Sequence, residues 1–198
     1  KLDNLPHGFP PAPSGVEQRI LRKLFTPEDA AWALQLKPFP ETAGAVARRL
    51  GRPLHEVQAR LDDMAGRGLI GAMRLDGALR YAFMPFVIGI YEFQLGRLDR
   101  ELAEMVEEYL PTLMKTVGGP GPAVARVVPV GARIAARTQV LPHDDLRAAI
   151  DRAAVFRVGH CICREEKALL GQPCRHAIET CLTLASDPDA YRDIPSWG

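Results

Sequence analysis

Apolar residues recur first at helical spacing and then in alternation, and the change of period organises the N-terminal part of the chain. Val16 to Leu24 reads as a helix. Thr26-Pro27-Glu28-Asp29 opens a second one, with a cap residue, a proline in the first turn and two acids against the helix dipole. A helix over Glu41 to Leu50 follows, ended by Gly51. The next carries Leu54, Val57, Leu61 and Met64 on one face. Beyond Gly66-Arg67-Gly68 come two strand-like runs, Leu69 to Leu75 and Ala78 to Phe83. Asp76-Gly77 between them is a hairpin signal.

From Pro85 the spacing predicts a long helix, with Val87, Ile90, Leu98, Leu102, Val106 and Leu110 in a broad apolar stripe. That stripe suits core or a subunit interface, so homo-oligomerisation through a helix at 86–114 is expected. Gly89 and Gly96 fall on one face of it and permit close approach of a neighbour. Gly118-Gly119-Pro120-Gly121-Pro122 is a linker or loop. Ala125 to Val130 and Ala135 to Val140 are β-like, and Pro142-His143-Asp144-Asp145 starts a helix through Ala153. Ala153 to Gly159 then reads as a short buried strand, and Cys174 to Leu184 as a helix after Pro173. The expected fold class is α+β and mainly helical. Its parts are an extended arm (1–15), a helix–hairpin domain (16–84), a helical connector (85–117) and a small α+β domain (118–198).

Composition narrows the function. The chain has 198 residues, 47% hydrophobic and 25% charged, with net charge +1. A near-neutral balance gives no general reason for binding nucleic acid or a membrane. No apolar run approaches the roughly 20 residues of a membrane helix. Nothing after Lys1 resembles a signal peptide, so a cytoplasmic location is expected. No phosphate loop, dinucleotide fingerprint or Ser/His/Asp arrangement is present. The reading is a redox carrier or accessory subunit, not an enzyme by itself.

The candidate chemistry is concentrated in the four cysteines, Cys161, Cys163, Cys174 and Cys181, within HCICREEKALLGQPCRHAIETCL. Disulfides need an oxidising compartment, which makes them the weaker reading. Zinc takes four cysteines, or three with His160 or His176, yet its ligand pairs are usually separated by two to four residues. An iron–sulfur cluster is wider than one ion and accepts looser spacing, which favours a four-iron four-sulfur centre, with zinc as the alternative and inert buried thiols as the plain one. On the predicted helix, Cys174 and Cys181 are two turns apart on one face, with Cys174 at the positive end of the dipole. His160, Arg164 and His176 flank the thiols and are candidates for tuning the centre by charge or hydrogen bonding.

The last three of these helices followed by the hairpin give the winged helix-turn-helix order, and VARRLGRPLHEVQARLDDMAGRGLI resembles that family, with its second half in the recognition-helix position. The outward residues there include Glu56, Asp62 and Asp63 against Arg60 and Arg67, and that balance disfavours phosphate contact. A scaffold or protein contact surface is the expected role. With PFVIGIYE, RVVPV and GHCICREEKALLGQPCRHAIETCL added, the chain resembles anaerobic-type ferredoxin-like four-iron four-sulfur proteins with an N-terminal winged-helix module. That resemblance implies cluster ligation by Cys161, Cys163, Cys174 and Cys181. Such proteins commonly continue into a ferredoxin domain. This sequence reaches Gly198 before any such run, so a piece of a longer protein or a one-cluster member is expected.

Three functions follow from these readings. The first is an electron-transfer module with a redox partner protein. The second is a redox- or oxygen-responsive winged-helix regulator of DNA. The third is a zinc-stabilised structural protein.

Overall fold

The computed structural model describes residues 1–5, 8–117 and 150–190. The fold is α+β. The β-like runs at 125–130 and 135–140, the linker at 118–122 and the start of the helix expected from Pro142 lie outside the described residues, as do His7 and His143.

Helix α1 (Val16–Leu24) starts after Gly15, and α2 (Pro27–Gln35) starts at Thr26. Local chemistry sets the second boundary: Asp29 N donates to Thr26 Oγ1 at 3.1 Å, and Thr26 N donates back to Asp29 Oδ2 at 3.0 Å. This reciprocal pair satisfies two amides that the helix start leaves without partners. A short strand β1 (Glu41–Thr42) leads into α3 (Ala43–Leu50), which Gly51 ends in the left-handed conformation, and α4 (Leu54–Gly66) follows. Strands β2 (Gly71–Leu75) and β3 (Ala78–Ala82) pair antiparallel across Asp76 and Gly77, both at positive φ. Strand β1 joins the outer side of β3, giving the order β1-β3-β2.

Two apolar cores result. Val46, Val57, Leu61, Met64, Ile70 and Tyr81 are buried in the first, between α3, α4 and the hairpin. The second joins α1 to α5 (Arg100–Val117) through Val16, Ile20, Leu102, Val106 and Tyr109. The N-terminal arm seals it: Phe9 lies 4.9 Å from both the Phe86 and Tyr109 rings, and Tyr109 O–H donates to Pro10 O at 2.9 Å. The stripe on α5 is therefore buried within the chain, against α1 and the arm. Among the described residues no helix is long and apolar enough to cross a membrane.

The long helix expected from Pro85 is interrupted. Val87 and Ile88 are extended, a short turn spans Glu92–Gln94, and Gly96 adopts φ 74°. Only from Arg100 is the chain α-helical, after Asp99 Oδ1 accepts from Leu102 N at 2.8 Å as a cap. The interruption has a tertiary cause. Buried Gln94 donates to the main-chain oxygens of Gly68 and Ile90 at 3.2 and 3.1 Å, which ties this segment to the end of α4. Gly68 makes the approach possible, because a Cβ there would stand 2.4 Å from Phe93 O.

After residue 150 the described chain forms β4 (Val155–His160), α6 (Ile162–Leu169) and β5 (Glu179–Ala185), with β4 and β5 antiparallel. The strand expected over Ala153 to Gly159 is present in substance but not buried. Its even positions face solvent, with Phe156 58% exposed and Val158 57%.

Candidate metal centre

All four cysteines sit on the β4–α6–β5 unit, and all are free thiols. Cys161 is the cap residue between β4 and α6, and Cys163 lies in the first turn of α6 within hydrogen-bonding reach of it. Cys181 is on β5 directly opposite Gly159, where a side chain would meet nothing within 4 Å. Cys174 is exposed on the loop between α6 and β5. Cys161 N donates to Ile178 O at 2.8 Å, so the far end of that loop returns to the start of the helix.

The helix expected over Cys174 to Leu184 is overturned: most of it is strand β5. Ala177, Ile178, Cys181, Leu182 and Leu184 fit a helical face, but Thr180 to Leu184 also alternates and carries two β-branched threonines. Pairing with β4 decides between the two. A helix lies instead over Ile162–Leu169, whose residues are mostly good helix formers and whose Ile162 and Glu166 share the buried face. The favourable N-terminal position expected for Cys174 thus belongs to Cys161 and Cys163.

Around that turn the electrostatics oppose a thiolate. Cys163 is exposed as a residue, yet burial of its sulfur, with Cys161, Glu166 and Glu92 close by, pushes the thiol up to about 11. Behind it lies a cluster that the sequence reading missed. Glu166, 4% exposed, accepts from the Tyr91 hydroxyl, and the neighbouring Glu107 accepts from Lys167 Nζ at 2.5 Å. Burial raises Glu166 above the ordinary carboxylate range, and the Lys167 ammonium lowers Glu107. The signal was available: four residues after Ile162, Glu166 falls on the packed side of any helix that starts there.

The flanking candidates have structural duties. His160 Nδ1 is 2.8 Å from Glu165 Oε1, clamping the end of β4 to the first turn of α6. Arg164 donates to Ala177 O and, at 2.8 Å, to Thr180 Oγ1, pinning the loop that carries Cys174. His176 sits exposed on that loop. Chemically the donor set suits a thiolate-held cluster, since four soft ligands lie on one β–α–β unit. Among the described residues, however, no three of His, Cys, Asp or Glu converge as the shell of one ion.

The helix α4 surface carries its cations inward. Arg60 and Arg67 both reach Asp29, at 3.1 and 2.6 Å, and Arg67 also pairs with Asp63 at 2.6 Å. Asp29 is 1% exposed, and its bond to Arg67 holds its carboxyl well below the ordinary range. On the hairpin, Arg80 lies 3.6 Å from Asp76. Cations engaged in this way are poorly placed for phosphates.

No protein-family model, curated protein or solved structure matches the chain.

Proposed function

We propose that the chain is an iron–sulfur protein holding one four-iron four-sulfur cluster on Cys161, Cys163, Cys174 and Cys181, and that it acts as an electron-transfer or redox accessory module for a partner protein. The observation that carries this reading is the gathering of every cysteine of the chain onto one β4–α6–β5 unit, with Cys161 and Cys163 in contact at the start of a helix. The resemblance of the cysteine segment to ferredoxin-like proteins supports the same assignment. When bound, such a cluster supplies one-electron transfer.

The residues of this chain hold the donors. Ile162 anchors the Cys161–Cys163 turn in the second core, and Arg164 restrains the Cys174 loop. Because Cys163 is held protonated, metal loading has to displace its proton, and affinity should rise with pH. The helices and hairpin of residues 16–84 are read as a winged-helix module that serves as a scaffold or protein contact surface, since Arg60 and Arg67 are spent on Asp29.

Iron and sulfide analysis of anaerobically reconstituted protein, with each cysteine changed in turn to serine, tests the assignment. Loss of iron in Cys163→Ser and Cys174→Ser is expected. Unchanged iron in all four variants, or a colourless protein with stoichiometric zinc, overturns it. Steeply salt-dependent DNA binding by the loaded protein would replace the carrier with a regulator.

A further inference from the structure

A cavity of about 660 Å³ opens between the N-terminal arm and the first two helices, and no cysteine lines it. Its walls are Leu2 and Phe9 of the arm, Leu21 of α1, Phe25, and Ala30 and Ala33 of α2. The two alanines keep the α2 wall shallow, leaving room for a chain or ring, and the volume lies within the roughly 300–1,000 Å³ of small-molecule sites. Leu34, 58% exposed, extends the apolar surface over the rim.

The polar groups of this cavity are few, and most are engaged. Asp3 accepts from Phe9 N at 3.0 Å, and Thr26 caps α2. Lys1 Nζ donates to Leu34 O at 2.8 Å and lies 4.7 Å from the centre of the Phe83 ring. The guanidinium of Arg22 differs. It sits exposed at the rim, donates to the neutral Gln18 Oε1 at 3.2 Å, and pairs with no carboxylate among the described residues. The side chains of Lys1 and Arg22 against Asp3 leave the rim net positive.

We propose that this cavity binds an amphipathic monocarboxylate of the fatty-acid type, its apolar chain between the arm and α2 and its carboxylate on Arg22. Burial of the chain supplies the hydrophobic part. The planar guanidinium supplies a charge-assisted, two-pronged contact that an alcohol cannot reproduce. The site is independent of the iron–sulfur reading.

Dodecanoate titrated into the full chain below its micelle concentration, followed by amide NMR shifts, tests the proposal. Saturable one-site binding is expected, with shifts centred on Leu21 to Phe25 and Ala30 to Leu34. Arg22→Gln should weaken dodecanoate about tenfold, the scale of one charge-assisted hydrogen bond, and leave dodecanol unchanged. Ala30→Trp fills the cavity and should abolish binding. If that variant fails to fold, Leu34→Glu at the exposed rim carries the same test through repulsion of the carboxylate. Absence of saturation, equal affinity for dodecanoate and dodecanol in the parent, shifts centred elsewhere, or full affinity in folded Ala30→Trp or Leu34→Glu overturns the proposal.

Discussion

The N-terminal helices with their hairpin and the β4–α6–β5 unit use similar residue types in opposite ways. In the first, Val46, Val57, Leu61 and Met64 are completely buried, and Arg60 and Arg67 are matched on the buried Asp29. In the second, Phe156, Val158 and Leu182 face solvent, and three of the four cysteines are exposed. A two-stranded hairpin has little core of its own, so this unit depends on what Ile162 and Glu166 reach in the helical part. Stability is thus concentrated away from the thiols.

The largest effect that would break this contrast is expected at Leu61. Leu61→Ala should cost about 2–5 kcal/mol in equilibrium denaturation, because it opens a cavity in the first core. A loss well below that range would mean that the helical part is no tighter than the cysteine unit.

Next comes Asp29→Ala, which removes the carboxylate that accepts from Thr26 N in the capping box and leaves Arg60 and Arg67 without their buried partner. The expected loss is about 2–3 kcal/mol, set by the capping-box bond from Thr26 N and by charge-assisted bonds. Its pH dependence sharpens the comparison. The carboxyl is held below its ordinary value, so its stabilising contribution is present above pH 3.8 and is lost as pH falls toward the depressed folded value. Acid unfolding of Asp29→Asn, followed by circular dichroism, should therefore lack part of the transition shown by the parent.

Glu166 has the opposite sign. Its folded value is raised, so the stabilisation from its protonated form is full below the ordinary glutamate value of 4.5 and fades as pH climbs through the raised one. Glu166→Gln should keep the Tyr91 contact and flatten the loss of stability above pH 4.5, measured by urea midpoints across pH. A parent midpoint independent of pH over that interval would show that burial does not raise Glu166.

The smallest effect belongs to Phe156→Thr on the solvent face of β4. It should change stability by no more than about 0.5 kcal/mol. A larger loss, read from the thermal midpoint, would show that this face is covered in solution.

Elements closed by nearby residues were legible in the chain alone. Thr26 and Asp29 start α2, Gly51 stops α3, and Asp76-Gly77 turns the hairpin, because each acts through hydrogen bonds or backbone angles within a few residues. The four thiols were equally legible as a group. Their arrangement was not, since β5 and the segment from Phe86 to Asp99 carry apolar patterns compatible with a helix.

What the amino-acid order determined by itself, then, is the series of helices and hairpin before Pro85 and the clustering of all sulfur donors into one segment. Only the tertiary structure decided that Cys181 lies on a strand opposite Gly159, that Gln94 breaks the expected helix by bonding to Gly68, and that Glu166 meets Glu107 and Tyr91. The physical reason is the location of the partner. A cap or tight turn finds its hydrogen bonds next door, whereas a strand edge, a buried amide and a buried carboxyl need groups that only the folded chain brings close.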